Sequence, residues 1–419
     1  MAVVARGLPG LTFAGTTPLF AMGSQRTLAK DLPRCWQSFD PSQPTPITSA
    51  IKEEVRKAGI PAGLRPDFYF VASGAHKLAN DAPAGTYSAL AASTADLADD
   101  VIFQVEDDIR VARILHKDET RLFSTAKGAE ALSRVIFAYL QRGGSAYWKG
   151  LASVAAQLLT VFGREREEQA FWTLVALLER RFFPHAGGHV PAGARLEVHV
   201  LQQLLEQRQP ALAALLAKLC PEPLEMLAGS WFSTAFARTL PHQVVLRVWD
   251  CVVVEGPKVA LRVALAIIKM CTSSIQSCTS MEVLCRVVEG RLSRCTDADA
   301  LLAIAFKGVG SLSGASVDTI RARVLAAAQQ QQQQQHSQHG GAAAGGSAAR
   351  ARPLLLPPSA PMVMLGGGGG GMSGGSALTR SSGSSEGNGG GGGGSSASGS
   401  SRASPWPSPK GHALLSVSS

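Results

Sequence analysis

The sequence predicts an all-α fold followed by a low-complexity tail. Through the middle of the chain, apolar residues recur at the three- and four-residue intervals of a helix. No segment shows the convincing apolar and polar alternation of a β-strand. The last quarter consists instead of glutamine, glycine and serine runs. No fixed-period repeat is visible, so a regular helical solenoid is not expected.

Composition divides the chain into three parts. Residues 1–46 are expected to form a flexible extension. Residues 1–26 lack acidic side chains, a feature that faintly resembles a transit peptide, but a disordered extension explains this composition more simply. Residues 47–324 are rich in Leu, Ala and Val and suffice for one large core or two smaller lobes. Residues 325–419 contain too few large apolar residues to offset the entropy of ordering, so this tail is predicted to be disordered.

Within the central part, several segments are predicted to be helices. Residues 129–144 carry one apolar stripe, and the Gly143-Gly144 pair marks the end of the helix. Further helices are predicted over 168–180, over 196–205 and after Pro210. The stretch 258–270 is apolar nearly all round, which is typical of a central, buried helix.

Charge and cysteine content argue against several classes of function. The chain carries a formal charge of +9, but its basic residues are interspersed with acidic ones, so we expect no nucleic-acid binding. Seven cysteines include no CxxC pair and no zinc-type array, so we expect reduced thiols, no metal and a cytoplasmic protein. No apolar run reaches the roughly 18 residues that span a membrane. No phosphate-binding glycine loop follows a strand, and no cofactor is predicted.

Four strings occur in a fixed order: RKAGIPAGLRPDFYFVASGA (56–75), ALSRVIFAYLQRGGSAYWKGL (131–151), EEQAFWTLVALLE (167–179) and SWFSTAFARTLPHQVVLRVWDCVVVEGPKVALRVALAIIK (230–269). Together they resemble the TBC domain of Rab GTPase-activating proteins, from about Ile51 to Val324, and among its subfamilies the growth-hormone-regulated TBC proteins. The resemblance implies a helical TBC fold in two lobes. Asp250 is expected to make a structural hydrogen bond, and the large aromatic residues to pack in the core: Trp231, Phe232 and Trp249.

The resemblance also implies a partner and an activity. Members of the family insert an arginine and a glutamine into a Rab-type GTPase in its GTP-bound form and so complete its hydrolytic site. The guanidinium stabilises charge on the transferring phosphoryl group, and the amide aligns the attacking water. We therefore expect a GTPase-activating protein in vesicle trafficking, associated peripherally with endomembranes only through its partner. The alternative is a catalytically inactive TBC module that binds a Rab protein as an adaptor.

The arginine motif of this family has the form Ile-x-x-Asp-x-x-Arg, and residues 102–119 are the candidate stretch. Asp107 and Arg110 fit the Asp-x-x-Arg half, although Gln104 then takes the aliphatic position. Arg110 is the preferred candidate for the catalytic arginine, and Arg113 is the second. The remaining possibility is that both are ordinary surface charges.

Two other registers of the arginine motif are open. If Val105 and Asp108 are the first two anchors, Val111 takes the arginine position and no arginine is present. The string LAKDLPR (28–34) also matches the spacing, but it precedes the Gly-Ile-Pro opening of the domain and therefore lies outside the catalytic position; its matching residues are Leu28, Asp31 and Arg34.

The glutamine motif has the form Tyr-x-Gln-Gly, and the corresponding string is Tyr147-Trp148-Lys149-Gly150. A glutamine amide both donates and accepts hydrogen bonds, whereas a lysine ammonium only donates. Lys149 can offset phosphate charge, but it cannot accept a hydrogen bond from an attacking water. The catalytic candidates are therefore Arg110 and Lys149. If the chain were an unrelated helical domain, these two residues would not be expected to share one surface groove. The residues expected to contact the GTPase are Asp107, Tyr147, Trp148 and Gly150.

Overall fold

The computed structural model describes residues 32–43, 46–93, 97–115, 122–143 and 147–339. These residues form helices and connecting turns without any strand, which confirms the all-α prediction. The α-helices are α1 Arg34–Gln37, α2 Ser49–Lys57, α3 Arg65–Ala72, α4 Ala75–Asp81, α5 Thr86–Ala92, α6 Asp99–Leu115, α7 Ala126–Gly143, α8 Leu151–Phe162, α9 Glu167–Ala176, α10 Val190–Arg208, α11 Pro210–Leu219, α12 Pro223–Ser233, α13 His242–Glu255, α14 Lys258–Met270, α15 Thr272–Ser277, α16 Met281–Leu292, α17 Ala298–Ala303 and α18 Gly314–His339. Single turns of other helical types occur at Leu122–Ser124, Arg164–Arg166, Leu177–Phe182 and Ile304–Gly308.

A connected hydrophobic core runs through the described residues, all of which belong to one compact unit. Helix α14 is buried on nearly every side, as its all-round apolar pattern predicted. Arg262, the polar residue in the middle of this helix, donates hydrogen bonds to backbone carbonyls, among them that of Ala305 at 3.0 Å. Trp231, Phe232 and Trp249 are buried as expected.

The carboxylate of Asp250 ties the start of the domain to α13. It is fully buried and accepts hydrogen bonds from the Ile60 N–H at 2.9 Å, the Arg65 guanidinium at 2.9 and 3.1 Å, and the Tyr69 hydroxyl at 2.7 Å. Burial and then the charge of Asp250 hold the pKa of Tyr69 well above its usual value. A buried carboxylate needs pairing and hydrogen bonds. The structural role expected of Asp250 is thus confirmed.

Two predicted boundaries differ from the structure. Trp36 of α1 is buried, with its ring 5.2 Å from that of Phe68, so part of the predicted flexible extension packs in the core. At the other end, α18 runs to His339, so residues 325–339 of the predicted disordered tail are helical. A buried ion pair between Arg321 and Glu197 at 2.6 Å anchors α18 to α10. Residues 1–31 and 340–419 lie outside the described part of the chain.

No described helix is both long enough and apolar enough to cross a membrane.

Candidate functional site

Helix α6 carries the candidate arginine motif and has an inward and an outward face. Its inward face packs in the core through Val105, Ile109 and Ala112. Asp108 lies at the edge of this face and is only 4% exposed. The outward face is built from residues at helical spacing: Phe103, Asp107, Arg110 and Ile114. Because successive residues project about 100° apart, the two neighbouring aspartates point in different directions.

The buried carboxylate of Asp108 joins α6 to the candidate glutamine motif. Its Oδ2 accepts a hydrogen bond from the Tyr147 hydroxyl at 2.5 Å and another from the Gly150 N–H at 3.1 Å. Burial and then the hydrogen bond to Asp108 raise the pKa of Tyr147 well above its usual value. The phenol therefore stays protonated and acts as a fixed donor. From sequence spacing alone, Asp108 belonged to an alternative register of the arginine motif and not to the preferred one.

Gly150 begins α8 in a conformation that requires glycine. Its φ is +114°, in the left-handed region. A Cβ at this position would lie 2.6 Å from Cγ2 of Thr234, which is closer than real contacts allow. The glycine thus permits both the turn into α8 and the close approach of the segment that follows α12.

Trp148 fills the space behind the motif. It is 8% exposed, and its ring meets Tyr139 edge-on with centroids 5.8 Å apart. Its Nε1 donates a hydrogen bond to the Ser233 carbonyl at 3.0 Å. This geometry describes a packing residue that fixes the motif in place, rather than a surface that contacts a partner.

Lys149 projects to solvent from this fixed backbone. Its side chain is exposed, and it has no hydrogen-bond or ion-pair partner within the described ranges. Arg110 is also exposed. Burial therefore does not prevent either side chain from facing a partner. The hydrogen bond between Asp108 and Gly150 places α6, which carries Arg110, beside the turn that carries Lys149.

The two candidate arginines of α6 have different surroundings. Arg110 is 69% exposed and bonds to Asp107, which is itself 43% exposed. Arg113 donates from Nε to the Phe123 carbonyl at 2.8 Å, which ties it to the backbone before α7. Arg110 is therefore the freer of the two. Of the alternative string at 28–34, only Arg34 among the matching residues lies in the described part, exposed on α1.

The segment between α12 and α13 packs against this site and was not singled out from the sequence. Ala235 and Phe236 have φ values of 47° and 66° and are fully buried. Non-glycine residues in this region are strained and persist where the surroundings fix them. Two residues further on, Arg238 is partly buried, and its charge acts on the Tyr147 phenol. The sequence signal would have been a basic residue directly after a buried, aromatic stretch.

The structure thus brings together Tyr147 and Gly150 with Asp108, whereas Asp107 lies on the outward face with Arg110. No group of three histidine, cysteine or acidic side chains in the described residues is arranged to bind a metal ion.

Comparisons with known proteins agree on one family. The family model described as the Rab-GTPase-TBC domain matches residues 65–276. The chain is 30% identical over 293 residues to human Growth hormone-regulated TBC protein 1, an alignment covering 67% of this chain and 83% of that protein. It is 32% identical over 195 residues to Growth hormone-regulated TBC protein 6 of Caenorhabditis elegans, covering 46% of this chain and 56% of that protein.

A solved structure shares the fold. The flagellar RabGAP TBC domain of Chlamydomonas matches with a TM-score of 0.53 at 27% sequence identity. The match covers 68% of this chain and 90% of the other. The family model and the solved structure therefore agree on the family.

Proposed function

Because the chain belongs to the Rab-GTPase-TBC domain family, we propose that it binds a Rab-type GTPase in its GTP-bound form without accelerating GTP hydrolysis. Of the two functions that the sequence allowed, this is the non-catalytic one. The observation that carries it is the pair of hydrogen bonds from Tyr147 and Gly150 to Asp108. The site of action would be an endomembrane in vesicle trafficking, reached through the partner.

These hydrogen bonds favour Asp108, not Asp107, as the aspartate of the arginine motif. Asp108 is the carboxylate in contact with the second motif, while Asp107 is exposed and pairs with Arg110. Three residues before Asp108 stands Val105, which is aliphatic and fully buried, as the first anchor of the motif should be. In this register Val111 occupies the arginine position.

The neighbouring Arg110 does not take over that position. Around a helix, the residue three places after Asp108 projects about 60° from it, whereas the residue two places after projects about 160° from it. Val111 therefore flanks the contact between Asp108 and Gly150. Arg110 projects from the opposite side, where it pairs with Asp107.

The residues at the two catalytic positions lack the required chemistry. An arginine inserted in trans accelerates hydrolysis by about 10³- to 10⁵-fold, and a valine has no charge to supply. A lysine ammonium cannot accept a hydrogen bond from the attacking water. Binding needs neither group.

A second candidate function is residual GTPase activation by Arg110. It is favoured by the exposure of Arg110 and of its partner Asp107. An exposed ion pair contributes only about 0–1 kcal/mol, so Arg110 can leave it at little cost. A rearrangement of α6 on binding would then be needed to bring the guanidinium to the nucleotide.

The test measures binding and hydrolysis separately on a panel of Rab-type GTPases. Binding is measured with a non-hydrolysable GTP analogue, and single-turnover GTP hydrolysis is measured with and without the domain. We expect wild-type protein to bind at least one GTPase while changing its hydrolysis rate less than about tenfold, against the 10³-fold or more of an arginine finger. Arg110→Ala should leave both quantities unchanged.

Two results would contradict this proposal. Strong acceleration by wild type that is lost in Arg110→Ala would establish the second candidate. Absence of binding to every GTPase of the panel, in either nucleotide state, would remove both functions.

A further inference from the structure

The end of α12 and the segment that follows it, Ser233–Thr239, lie directly against the second motif. The Ser233 carbonyl accepts the hydrogen bond of Trp148, and Thr234 fills the space beside Gly150 that a larger residue would need. This segment therefore packs against the turn that carries Lys149.

The backbone of this segment is held rigidly. Ala235 and Phe236 are fully buried in left-handed conformations, and the Ala235 carbonyl accepts a hydrogen bond from the Trp249 indole at 2.8 Å. The Ala237 N–H donates to the Thr234 carbonyl at 2.8 Å. Conformations of this kind are kept only where the surrounding structure determines them, and they are frequent at binding sites. The next residue, Arg238, is thereby presented from a fixed position.

Arg238 differs from several other partly buried arginines in the described part of the domain. Arg65, Arg134 and Arg142 each form an ion pair with a carboxylate. Within the described ranges, Arg238 has no carboxylate at ion-pairing distance, and its electrostatic influence is felt at Tyr147. A partly desolvated guanidinium without an anion is available to one that a partner brings.

We propose that Arg238 contacts the terminal phosphate of the nucleotide on the bound GTPase and makes binding selective for the GTP-bound form. This rests on the proposed GTPase-binding function. A guanidinium suits the role because it stays charged and bonds two phosphate oxygens at once. The phosphate is favoured over a carboxylate of the partner because Lys149 adds a second unpaired cation beside the same motif, and a terminal phosphate carries more than one negative charge. Arg238 acts here in recognition and not in hydrolysis.

The experiment compares dissociation constants for GDP-loaded GTPase and for GTPase loaded with a non-hydrolysable GTP analogue. Arg238→Ala is expected to weaken binding of the GTP form by about tenfold or more, the usual effect of losing a hydrogen bond to a charged group, and of the GDP form by less than about twofold. Arg238→Lys, which keeps the charge but not the two-pronged contact, should fall between wild type and Arg238→Ala. Arg164→Ala is the matched control, because Arg164 is exposed and pairs with its neighbour Glu165.

The outcomes separate the two proposals. If wild type binds with nucleotide selectivity and both Arg238 variants bind like wild type, Arg238 is not the contact, although the GTPase-binding function stands. If Arg238→Ala weakens both nucleotide forms equally, the arginine pairs with a protein carboxylate and the inference is overturned. If wild type binds no GTPase in either form, both proposals fail. Thermal unfolding of each variant confirms that it is folded, and Arg238→Lys tests the inference even where Arg238→Ala is unstable.

Discussion

The hydroxyl of Tyr147 donates a hydrogen bond of 2.5 Å to the buried carboxylate of Asp108, 39 positions earlier in the chain. Oδ2 of Asp108, which accepts that bond, also accepts a hydrogen bond from the Gly150 N–H at 3.1 Å. One carboxylate therefore fixes the turn that precedes α8 relative to α6. This contact also favours Asp108 as the aspartate of the arginine motif, which puts Val111 at the arginine position. It therefore connects the stability of the site to its chemistry.

The two adjacent aspartates of α6 should differ sharply in their effect on stability. Asp108→Ala removes two hydrogen bonds to a buried charge, and we expect the free energy of unfolding to fall by about 2–4 kcal/mol. Asp107→Ala removes only an exposed ion pair and should change it by less than about 1 kcal/mol. Urea unfolding followed by circular dichroism measures both. Equal effects would argue against the assignment of Asp108 to the motif.

Restoring both catalytic groups should create activity. In a variant that combines Val111→Arg with Lys149→Gln, the guanidinium flanks Asp108 and an amide replaces the ammonium. We expect single-turnover GTP hydrolysis by a bound GTPase to rise on the order of a hundredfold or more, below the full effect of an optimised arginine.

The matched control for that variant combines Ile114→Arg with Lys149→Gln. It carries the same charge, but its new arginine lies on the outward face of α6 with Arg110. It should not accelerate hydrolysis. Equal rates in the two double variants would show that added positive charge, rather than the register, produces the effect.

Gly150→Ala should destabilise the domain through two separate effects. Alanine is strained at a φ of +114°, and its Cβ would lie 2.6 Å from Thr234. We expect a loss of about 2–4 kcal/mol in unfolding free energy from strain and overpacking together. Gly163→Ala, at a φ of +72° with no atom near its Cβ, carries strain alone and should cost less. Adding Thr234→Ser to Gly150→Ala, which removes the obstructing methyl group, should recover part of the loss.

The Asp250 network should contribute far more stability than the exposed ion pair close to it. Asp250→Ala leaves Arg65 and Tyr69 without their buried partner, and a loss of about 3–5 kcal/mol is expected. Asp299→Ala breaks the ion pair with Arg247, but Asp299 is 70% exposed, so its loss should stay below about 1 kcal/mol. Thermal and urea unfolding of both variants measure the difference. A small effect of Asp250→Ala would mean that the desolvation cost of the buried carboxylate is as large as the stabilisation from its hydrogen bonds and ion pair.

His242 should make the domain less stable in mild acid. Burial and then the charge of Arg65 lower the pKa of His242 to about 4 in the folded state, where its Nδ1 lies 2.9 Å from Oε1 of Gln157. In the unfolded chain its pKa is about 6.5. Between these two pH values only the unfolded chain binds the proton, so the free energy of unfolding falls as the pH drops from about 6.5 towards 4 and is unaffected by this group above 6.5.

A comparison of variants isolates this effect. His242→Gln, which cannot titrate, should lose less stability between pH 7 and pH 5 than wild type does. If His242→Gln and wild type lose the same stability over this interval, another group is responsible.

Patterns of apolar residues were sufficient for the five helical segments predicted from the sequence, because the 3.6-residue period of a helix determines which side chains must be buried. The predicted helix at 258–270 matches α14, and the helix predicted to end at the Gly143-Gly144 pair is described up to Gly143. The chain ends were predicted less well. Trp36 and the start of the tail pack through contacts with distant residues, which local composition does not reveal.

The sequence by itself determined the family, the all-α class and the exchange of an amide for an ammonium at Lys149, since each depends only on which residues are present and on their order. The tertiary structure decided what spacing left open. Two aspartates stand side by side on α6, and only the hydrogen bonds from Tyr147 and Gly150 distinguish them. It also placed Arg238 beside that motif, through the contacts of the segment between α12 and α13 with Trp148 and Gly150. Both depend on contacts between residues far apart in the chain, where direction around a helix and burial, rather than residue type, determine what a side chain can reach.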